Sequence, residues 1–199
     1  MTTFLLIRHG DCEPVGKSIA GRMSGVNLNN NGLEQAQNLA KRLGKMKIDR
    51  LYSSPLERTR QTAVPLAKVL GLDIQISEKL HEINYGKWTG KTFEELSTIP
   101  LWKEYYSFKS NIRIPDGEMI VEVESRMCRF IEEERRRCNG TVGIFSHGDP
   151  IKTVIAHYMG LPLDLIVRLE ISTASVSILR IDEYSATVLT VNNTGTINL

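Results

Sequence analysis

The stretch Phe4-Leu5-Leu6-Ile7-Arg8-His9-Gly10 places four apolar residues directly before an arginine, a histidine and a glycine. A short apolar run of this kind is typical of a strand that is buried in an α/β sheet. A similar arrangement recurs later in the chain, where the apolar run 141–145 is followed by Ser146-His147-Gly148. Ligands of open α/β sheets bind beyond the carboxyl ends of the strands. We therefore expect both histidines to lie at one crevice.

Outward from these two stretches, strand-like and helix-like segments alternate along the chain. Further strands are predicted over residues 50–53, 73–76, 167–171, 175–181 and 187–191. Helices are predicted over residues 33–43, 54–70, 118–138 and 150–159, with Ser54 as a cap and Pro55 and Pro150 at first helical positions. This alternation predicts an α/β three-layer sandwich with a mostly parallel central sheet.

Residues 80–117 differ from the rest, because they mix Gly, Pro, Trp and Tyr with only short helical fragments. We expect a short cap insertion over the site, within a single domain that spans residues 1–199. A packed surface loop is the alternative. Candidates for the lining of a pocket in this insertion are Lys87, Trp88, Tyr105, Tyr106 and Arg113.

The composition is that of an ordinary globular protein, with 199 residues, 41% hydrophobic and 24% charged. The net charge of +2 favours neither nucleic acid nor an anionic membrane as a partner. The charged run 132–137 consists of three glutamates followed by three arginines. It pairs acid with base at a spacing of four residues, which is typical of a solvated helix face. A homodimer remains open, because a single exposed apolar strand or helix would be enough to form one.

No apolar run approaches the roughly 18 residues that a spanning helix needs. The apolar N-terminus lacks a preceding basic region and reaches Arg8 too soon for a signal peptide. The three cysteines Cys12, Cys128 and Cys138 form no C-x-x-C pair, which argues against a disulfide framework or a zinc knuckle. We expect a cytoplasmic protein with reduced thiols.

The residues at the predicted crevice fit phosphoryl transfer. Arg8 and Arg58 offer planar, permanently charged donors that match the oxygens of a phosphate monoester. A neutral imidazole nitrogen, as in His9, is a workable nucleophile toward phosphorus. The leaving alcohol needs a proton donor, for which Glu82 is the first candidate and Asp149 the competitor. The small partner implied is a phosphorylated substrate.

Four motifs, in this order, resemble the histidine phosphatase superfamily, which includes the cofactor-dependent phosphoglycerate mutases. The segment 6–10 resembles its Arg-His-Gly signature, and the segment 52–63 resembles its second arginine motif. Glu82 with the following Tyr85-Gly86 resembles the acid motif, and Ser146-His147-Gly148 resembles the second histidine motif. The resemblance extends from residue 4 to about residue 160.

The resemblance implies a role for each matching residue. His9 is the expected nucleophile that becomes phosphohistidine, and Glu82 the expected general acid and base. Arg8, Arg58 and His147 are expected to hold the phosphoryl group. Arg22 and Gly148 are the expected substrate-binding residues. The resemblance implies no cofactor and no metal, and the chain has no H-E-x-x-H motif.

The chain also departs from the family pattern. Asp11-Cys12 replaces the usual Glu or Gln followed by Thr or Ser, and Val15-Gly16-Lys17 stands where an Asn is common. Cys12 is expected to be either a reactive thiol or a buried, inert thiol, and the second interpretation is favoured. Ile83-Asn84 replaces an arginine of the mutases, so hydrolysis is favoured over phosphoglycerate mutase-type transfer. A catalytically silent binding module is the remote alternative.

Overall fold

A computed structural model describes residues 1–197 and contains a six-stranded sheet in the order β3-β2-β4-β1-β5-β6. The strands β1, β4, β2 and β3 pair in parallel, whereas β5 pairs antiparallel with both β1 and β6. The predicted mostly parallel sheet is therefore confirmed. The strands are β1 Thr2–Arg8, β2 Arg50–Ser53, β3 Ile74–Ile76, β4 Thr141–Ser146, β5 Val176–Ile181 and β6 Ala186–Asn193.

Helices cover both faces of the sheet, which gives the predicted three layers. On one face, α1 (Asn30–Leu43) and α2 (Glu57–Leu70) pack over a core that includes Leu5 and Ile7. On the other face, α5 (Ile120–Arg137) and α6 (Gly148–Met159) pack over a second core. Alternate residues of β1 point to opposite faces, so each apolar side chain is buried in one core or the other.

The register between β1 and β4 brings the two His-Gly pairs together. Leu6 lies opposite Ile144 and Arg8 lies opposite Ser146, so both strands end at the same level. His9 and His147, each one residue further along, therefore face each other at the carboxyl edge of the sheet. The backbone N–H of His9 donates to the Ser146 carbonyl at 3.0 Å, which extends the pairing to this edge.

Local sequence explains where α1 begins and how closely it approaches the site. The Asn29 side chain caps the helix by accepting a hydrogen bond from the N–H of Gly32 at 2.8 Å. A Cβ on Gly32 would overlap the carbonyl oxygen of Asp11, so only glycine allows this approach. Leu33, an apolar residue in the first turn of α1, is half exposed.

Several sequence predictions on elements differ from the structure. The helix predicted over 33–43 begins at Asn30, and the helix predicted over 118–138 spans Ile120–Arg137. The helix predicted from Ser54 begins at Glu57, and the Ser54 hydroxyl is hydrogen-bonded to the His147 ring at 2.9 Å. The strand predicted over 167–171 is a 3-10 turn, Leu163–Arg168, followed by a loop whose Ile171 carbonyl accepts a hydrogen bond from Arg8. The helix predicted from Pro150 begins two residues earlier, at Gly148.

The cap insertion contains two short helices, α3 (Phe93–Ser97) and α4 (Pro100–Ser107). Their aromatic side chains pack edge to face, with 5.1 Å between the ring centroids of Trp88 and Trp102. Trp88 and Tyr105 are buried, so the insertion is packed onto the larger core. In the described part of the chain, no helix is long and apolar enough to cross a membrane.

Candidate active site

A cavity of about 310 Å³ opens at the carboxyl ends of β1 and β4, beneath the cap insertion. Its size is in the range of small-molecule sites. The structure brings together most of the residues that the motifs single out. The cavity is lined by Arg8, His9, Arg58, Glu82, Gly148 and Asp149, together with residues of the loop 14–21 and of the cap.

His9 is held in one tautomer. Its Nδ1 lies 2.7 Å from the carbonyl oxygen of Gly10, and a carbonyl can only accept, so Nδ1 carries the proton. The lone pair is therefore on Nε2. Burial and the positive charges of Arg58 and Arg8 lower the pKa of His9 to about 3. The imidazole is thus neutral at physiological pH and its Nε2 is nucleophilic.

Arg8 and Arg58 supply cationic donors that are not used by the protein. Arg58 is fully buried in α2, where its Nη2 donates to the Gly21 carbonyl at 2.8 Å. Its Nη1 and the Nε of Arg8 are buried and have no hydrogen-bond partner among residues 1–197. Buried guanidinium donors left unsatisfied in this way need an acceptor, and a phosphoryl oxygen is of the right kind. The first turn of α6, which starts at Gly148, adds the positive end of a helix dipole.

His147 lies behind His9 and is fully buried, outside the lining of the cavity. The two imidazole rings meet edge to face, with 5.2 Å between their centroids. His147 Nε2 is hydrogen-bonded to the Ser54 hydroxyl, whereas Nδ1 lies 3.9 Å from the Glu82 carboxylate and has no hydrogen-bond partner in the described part of the chain. Sequence reasoning missed Ser54 in this position and assigned it to a helix cap.

Two carboxyl groups in the cavity differ in charge near neutral pH, because one is protonated and the other is ionised. Burial raises the pKa of Glu82 to about 7, and the negative charge of Asp149 adds to the rise. Burial alone would also raise the pKa of Asp149, but the ammonium groups of Lys109 and Lys152 hold it below its ordinary value. Glu82 is therefore the group that carries a proton near neutral pH, whereas Asp149 is ionised. This divergence separates the two candidates for the proton donor.

The prediction that Arg22 binds substrate needs correction, because Arg22 does not line the cavity. Its Nε donates to the Glu82 carbonyl at 2.8 Å, and its Nη2 pairs with Glu118 at 2.9 Å. Arg126 also donates to the Glu82 carbonyl and pairs with Glu118. Two arginines that do not line the cavity thus brace the backbone of Glu82.

The departures from the family pattern have structural explanations. Asp11 turns away from the phosphoryl end and accepts hydrogen bonds from Asn29 at 3.0 Å and Asn31 at 3.2 Å. Cys12 lines the cavity but is only 2% exposed, and burial raises the pKa of its thiol. The thiol therefore stays protonated. Val15 and Gly16 contribute only apolar and backbone atoms to the lining.

Of the five cap residues predicted as candidates for the lining, only Tyr106 lies in it. Trp88 and Tyr105 are buried in the core, Lys87 pairs with Asp116 and Arg113 pairs with Glu122. Sequence reasoning did not single out several lining residues, among them Phe93, Trp102, Lys109 and Lys152. The spacing of Asp149 and Lys152 by one helical turn could have indicated Lys152, since it lies on the same face of α6.

A buried imidazole with unpaired arginines and a protonated carboxyl, at the carboxyl edge of a parallel sheet, defines a histidine phosphatase. The chain belongs to the histidine phosphatase superfamily (branch 1), whose sequence model matches residues 4–194. Within residues 1–197, no group of three or more His, Cys, Asp and Glu side chains is arranged to hold a metal ion.

Three similar proteins illustrate the range of the family. Phosphoserine phosphatase 1 of Hydrogenobacter thermophilus is 30% identical over 202 residues, which cover 98% of this chain and 93% of that protein. A probable phosphoglycerate mutase, GpmB of Escherichia coli, is 28% identical over 89% of this chain and 84% of its own length. The solved structure of Bacillus stearothermophilus YhfR superimposes with a TM-score of 0.90 at 26% identity, covering 97% of this chain and 98% of that one.

The difference in charge between Glu82 and Asp149 can be tested without an assay of activity. Replacing Asp149 by Asn removes the negative charge that helps to raise the pKa of Glu82, so that pKa should fall below about 7. The measurement is a pH titration by ¹³C NMR of labelled glutamate carboxyls, with the Glu82 signal identified by its loss in Glu82→Gln. Asp116→Asn, an exposed carboxyl outside the cavity, is the matched control. An unchanged or higher pKa in Asp149→Asn would contradict this electrostatic description.

Proposed function

We propose that the protein is a metal-independent phosphomonoesterase that hydrolyses a small phosphorylated metabolite through a phosphohistidine on His9. One observation carries the proposal: a neutral imidazole, with its lone pair on Nε2, shares a cavity with buried, unsatisfied donors of Arg8 and Arg58. Such a site attracts a phosphate monoester and offers its phosphorus a nucleophile in the same place.

In the first half-reaction, the lone pair of His9 Nε2 forms a bond to phosphorus and the bond to the leaving oxygen breaks. Arg8 and Arg58 hold the equatorial oxygens, on which negative charge accumulates in the transition state. His147, which is fully buried outside the lining of the cavity, supports the His9 ring from behind through their edge-to-face contact. Glu82 transfers its proton to the leaving oxygen, since its raised pKa keeps it protonated until the alcohol departs.

In the second half-reaction, Glu82 is a carboxylate and accepts a proton from a water molecule. That water attacks phosphorus, the bond to Nε2 breaks, and inorganic phosphate leaves with His9 restored to its neutral form. The braced backbone of Glu82 keeps the carboxyl in one position for both steps. Both Glu82 and His9 therefore end the cycle in the state in which they began it.

Hydrolysis is favoured over transfer to a second substrate oxygen. A mutase has to retain its bisphosphate intermediate and exclude water, which needs an enclosed site. Here the cap consists of the two short helices α3 and α4, and Ile83-Asn84 follows the acid in place of an arginine. The relatives named phosphoserine phosphatase make O-phosphoserine one of the first compounds to assay, beside phosphoglycerates, phosphosugars and nucleotides.

The covalent route predicts the behaviour of His9→Ala. Turnover should fall at least about 10⁴-fold, as expected when a nucleophile is removed, while phosphate still raises the melting temperature through the two arginines. The assay is phosphate release from p-nitrophenyl phosphate with and without chelator, which should make no difference. His157→Ala, a half-exposed histidine outside the cavity, is the control. Full activity in His9→Ala would exclude the phosphohistidine, and strong inhibition by chelator would exclude the metal-free route.

The role of Glu82 predicts a dependence on the leaving group. Glu82→Gln should slow hydrolysis of glycerol 3-phosphate roughly 10²- to 10⁴-fold, but that of p-nitrophenyl phosphate much less, because nitrophenolate leaves without a proton. In the unsubstituted protein, kcat/KM for glycerol 3-phosphate should fall as the pH rises above about 7, where Glu82 loses its proton. Glu104→Gln, exposed on α4, controls for loss of a charge. An equal loss on both substrates would assign the proton transfer to another group, Asp149 first.

A further inference from the structure

The cavity contains a second cationic end that the phosphoryl chemistry does not use. Lys109 lies two residues beyond the end of α4 and is 4% exposed, although it lines the same cavity as His9 and Arg58. The next residue anchors this segment, because the backbone N–H and the hydroxyl of Ser110 both donate to the Asp164 carboxylate, at 2.8 and 3.1 Å. This contact between the cap and the turn Leu163–Arg168 therefore fixes the position of Lys109 over the cavity.

The Lys109 ammonium lacks an ionic partner. Its Nζ lies 3.9 Å from the ring centroid of Tyr105 and 4.9 Å from that of Tyr106. Across residues 1–197 it makes neither a hydrogen bond nor an ion pair, so cation–π contacts alone hold it. A lysine with a purely structural role extends its ammonium into water. Lys109 instead keeps an almost fully buried cation at a cavity wall, which is costly unless an anion joins it.

The neighbouring charges do not neutralise Lys109. The Asp149 carboxylate is already engaged by Lys152 at 3.6 Å and by the Tyr85 hydroxyl at 3.0 Å. Glu82 is protonated near neutral pH, and Glu170, at the rim of the cavity, is exposed to water. The Asp164 carboxylate is engaged by the backbone N–H and the hydroxyl of Ser110. Within residues 1–197, the Lys109 ammonium is therefore left without a paired carboxylate, at the cap end of the cavity and separate from the two arginines of the phosphoryl end.

We propose that Lys109 determines substrate specificity by binding a carboxylate on the alcohol part of the phosphomonoester. This inference rests on the proposed function, because it assumes that a phosphate monoester occupies the cavity with its phosphorus at His9. The single ammonium group of Lys109 matches the charge of a carboxylate monoanion. A second phosphate group would carry nearly two negative charges into a region that also contains the carboxylates of Asp149 and Glu170.

The test uses two pairs of substrates that differ only by one carboxylate. O-phosphoserine is compared with phosphoethanolamine, and 3-phosphoglycerate with glycerol 3-phosphate. The protein should prefer the carboxylated member of at least one pair by roughly 10- to 100-fold in kcat/KM, the usual value of a charge-assisted hydrogen bond. Lys109→Met, which keeps the length of the side chain, should remove this preference. The readout is the ratio of the two kcat/KM values within a pair, because any effect of the lost charge on Asp149 and Glu82 is common to both members.

Two further variants separate charge from packing. Lys103→Met removes an exposed lysine from α4 and should leave the preference unchanged. Lys109→Arg retains the charge and should restore part of the preference that Lys109→Met loses. The Arg variant also keeps the test decisive if the Met variant does not fold. A bisphosphate substrate is added to the panel, and a preference for it that depends on Lys109 would overturn the choice of a carboxylate.

The outcomes distinguish this inference from the proposed function. p-Nitrophenyl phosphate carries no carboxylate, so its hydrolysis reports only on the phosphoryl end. If it is hydrolysed in a His9-dependent manner but Lys109→Met slows both members of every pair equally, the specificity role of Lys109 is wrong and the phosphatase proposal stands. If the unsubstituted protein hydrolyses both members of each pair equally well, the specificity role of Lys109 is again wrong and the phosphatase proposal again stands. If no phosphomonoester is hydrolysed at all, the proposed function fails and this inference fails with it.

Discussion

The hydrogen bond between His9 Nδ1 and the Gly10 carbonyl is the contact on which the chemistry of the site depends. It fixes which ring nitrogen keeps a lone pair, and burial beside two arginines keeps the ring neutral. This bond lies just beyond the end of β1, where Gly10 is in close contact with Gly32 at the start of α1. The sheet register, the two-sided burial of β1 and the close glycine contact thus converge on the orientation of one imidazole.

The site holds charged groups apart from each other in positions that they would not keep if they were exposed to water. Within residues 1–197, Arg8 and Arg58 have no carboxylate partner, whereas the ionised Asp149 pairs with Lys152 at the other end of the cavity. Glu82 lies between the two regions, and its proton is retained because burial and the nearby Asp149 charge both disfavour its ionised form. A carboxyl placed beside the arginines would have paired with them and removed the anion site. The geometry therefore provides a place for a dianion and a proton donor together.

Much of this architecture could be predicted from the sequence, because buried strands and helix ends have local signatures. β1, β2 and the apolar core of the parallel sheet follow from short apolar runs and their flanking polar residues. The segment 167–171 alternates apolar and charged residues as a strand does, but its Ile171 carbonyl accepts a hydrogen bond from Arg8 and the segment joins no sheet, which no local pattern reveals. Arg22 and Lys109 illustrate the same limit. The direction of a long side chain in an irregular segment depends on tertiary contacts, here with Glu118 for one and the aromatic rings of α4 for the other.

The measurement that tests the central claim most directly is the position of the phosphoryl group on the enzyme. The protein would be mixed with an aryl phosphate, quenched within milliseconds in alkaline denaturant, and the linkage determined by ³¹P NMR and peptide mass spectrometry. The account predicts phosphate on His9 attached through Nε2, because Nδ1 is committed to the Gly10 carbonyl. Phosphate attached through Nδ1, or found on another residue, would contradict the proposed orientation of the nucleophile and the mechanism built on it.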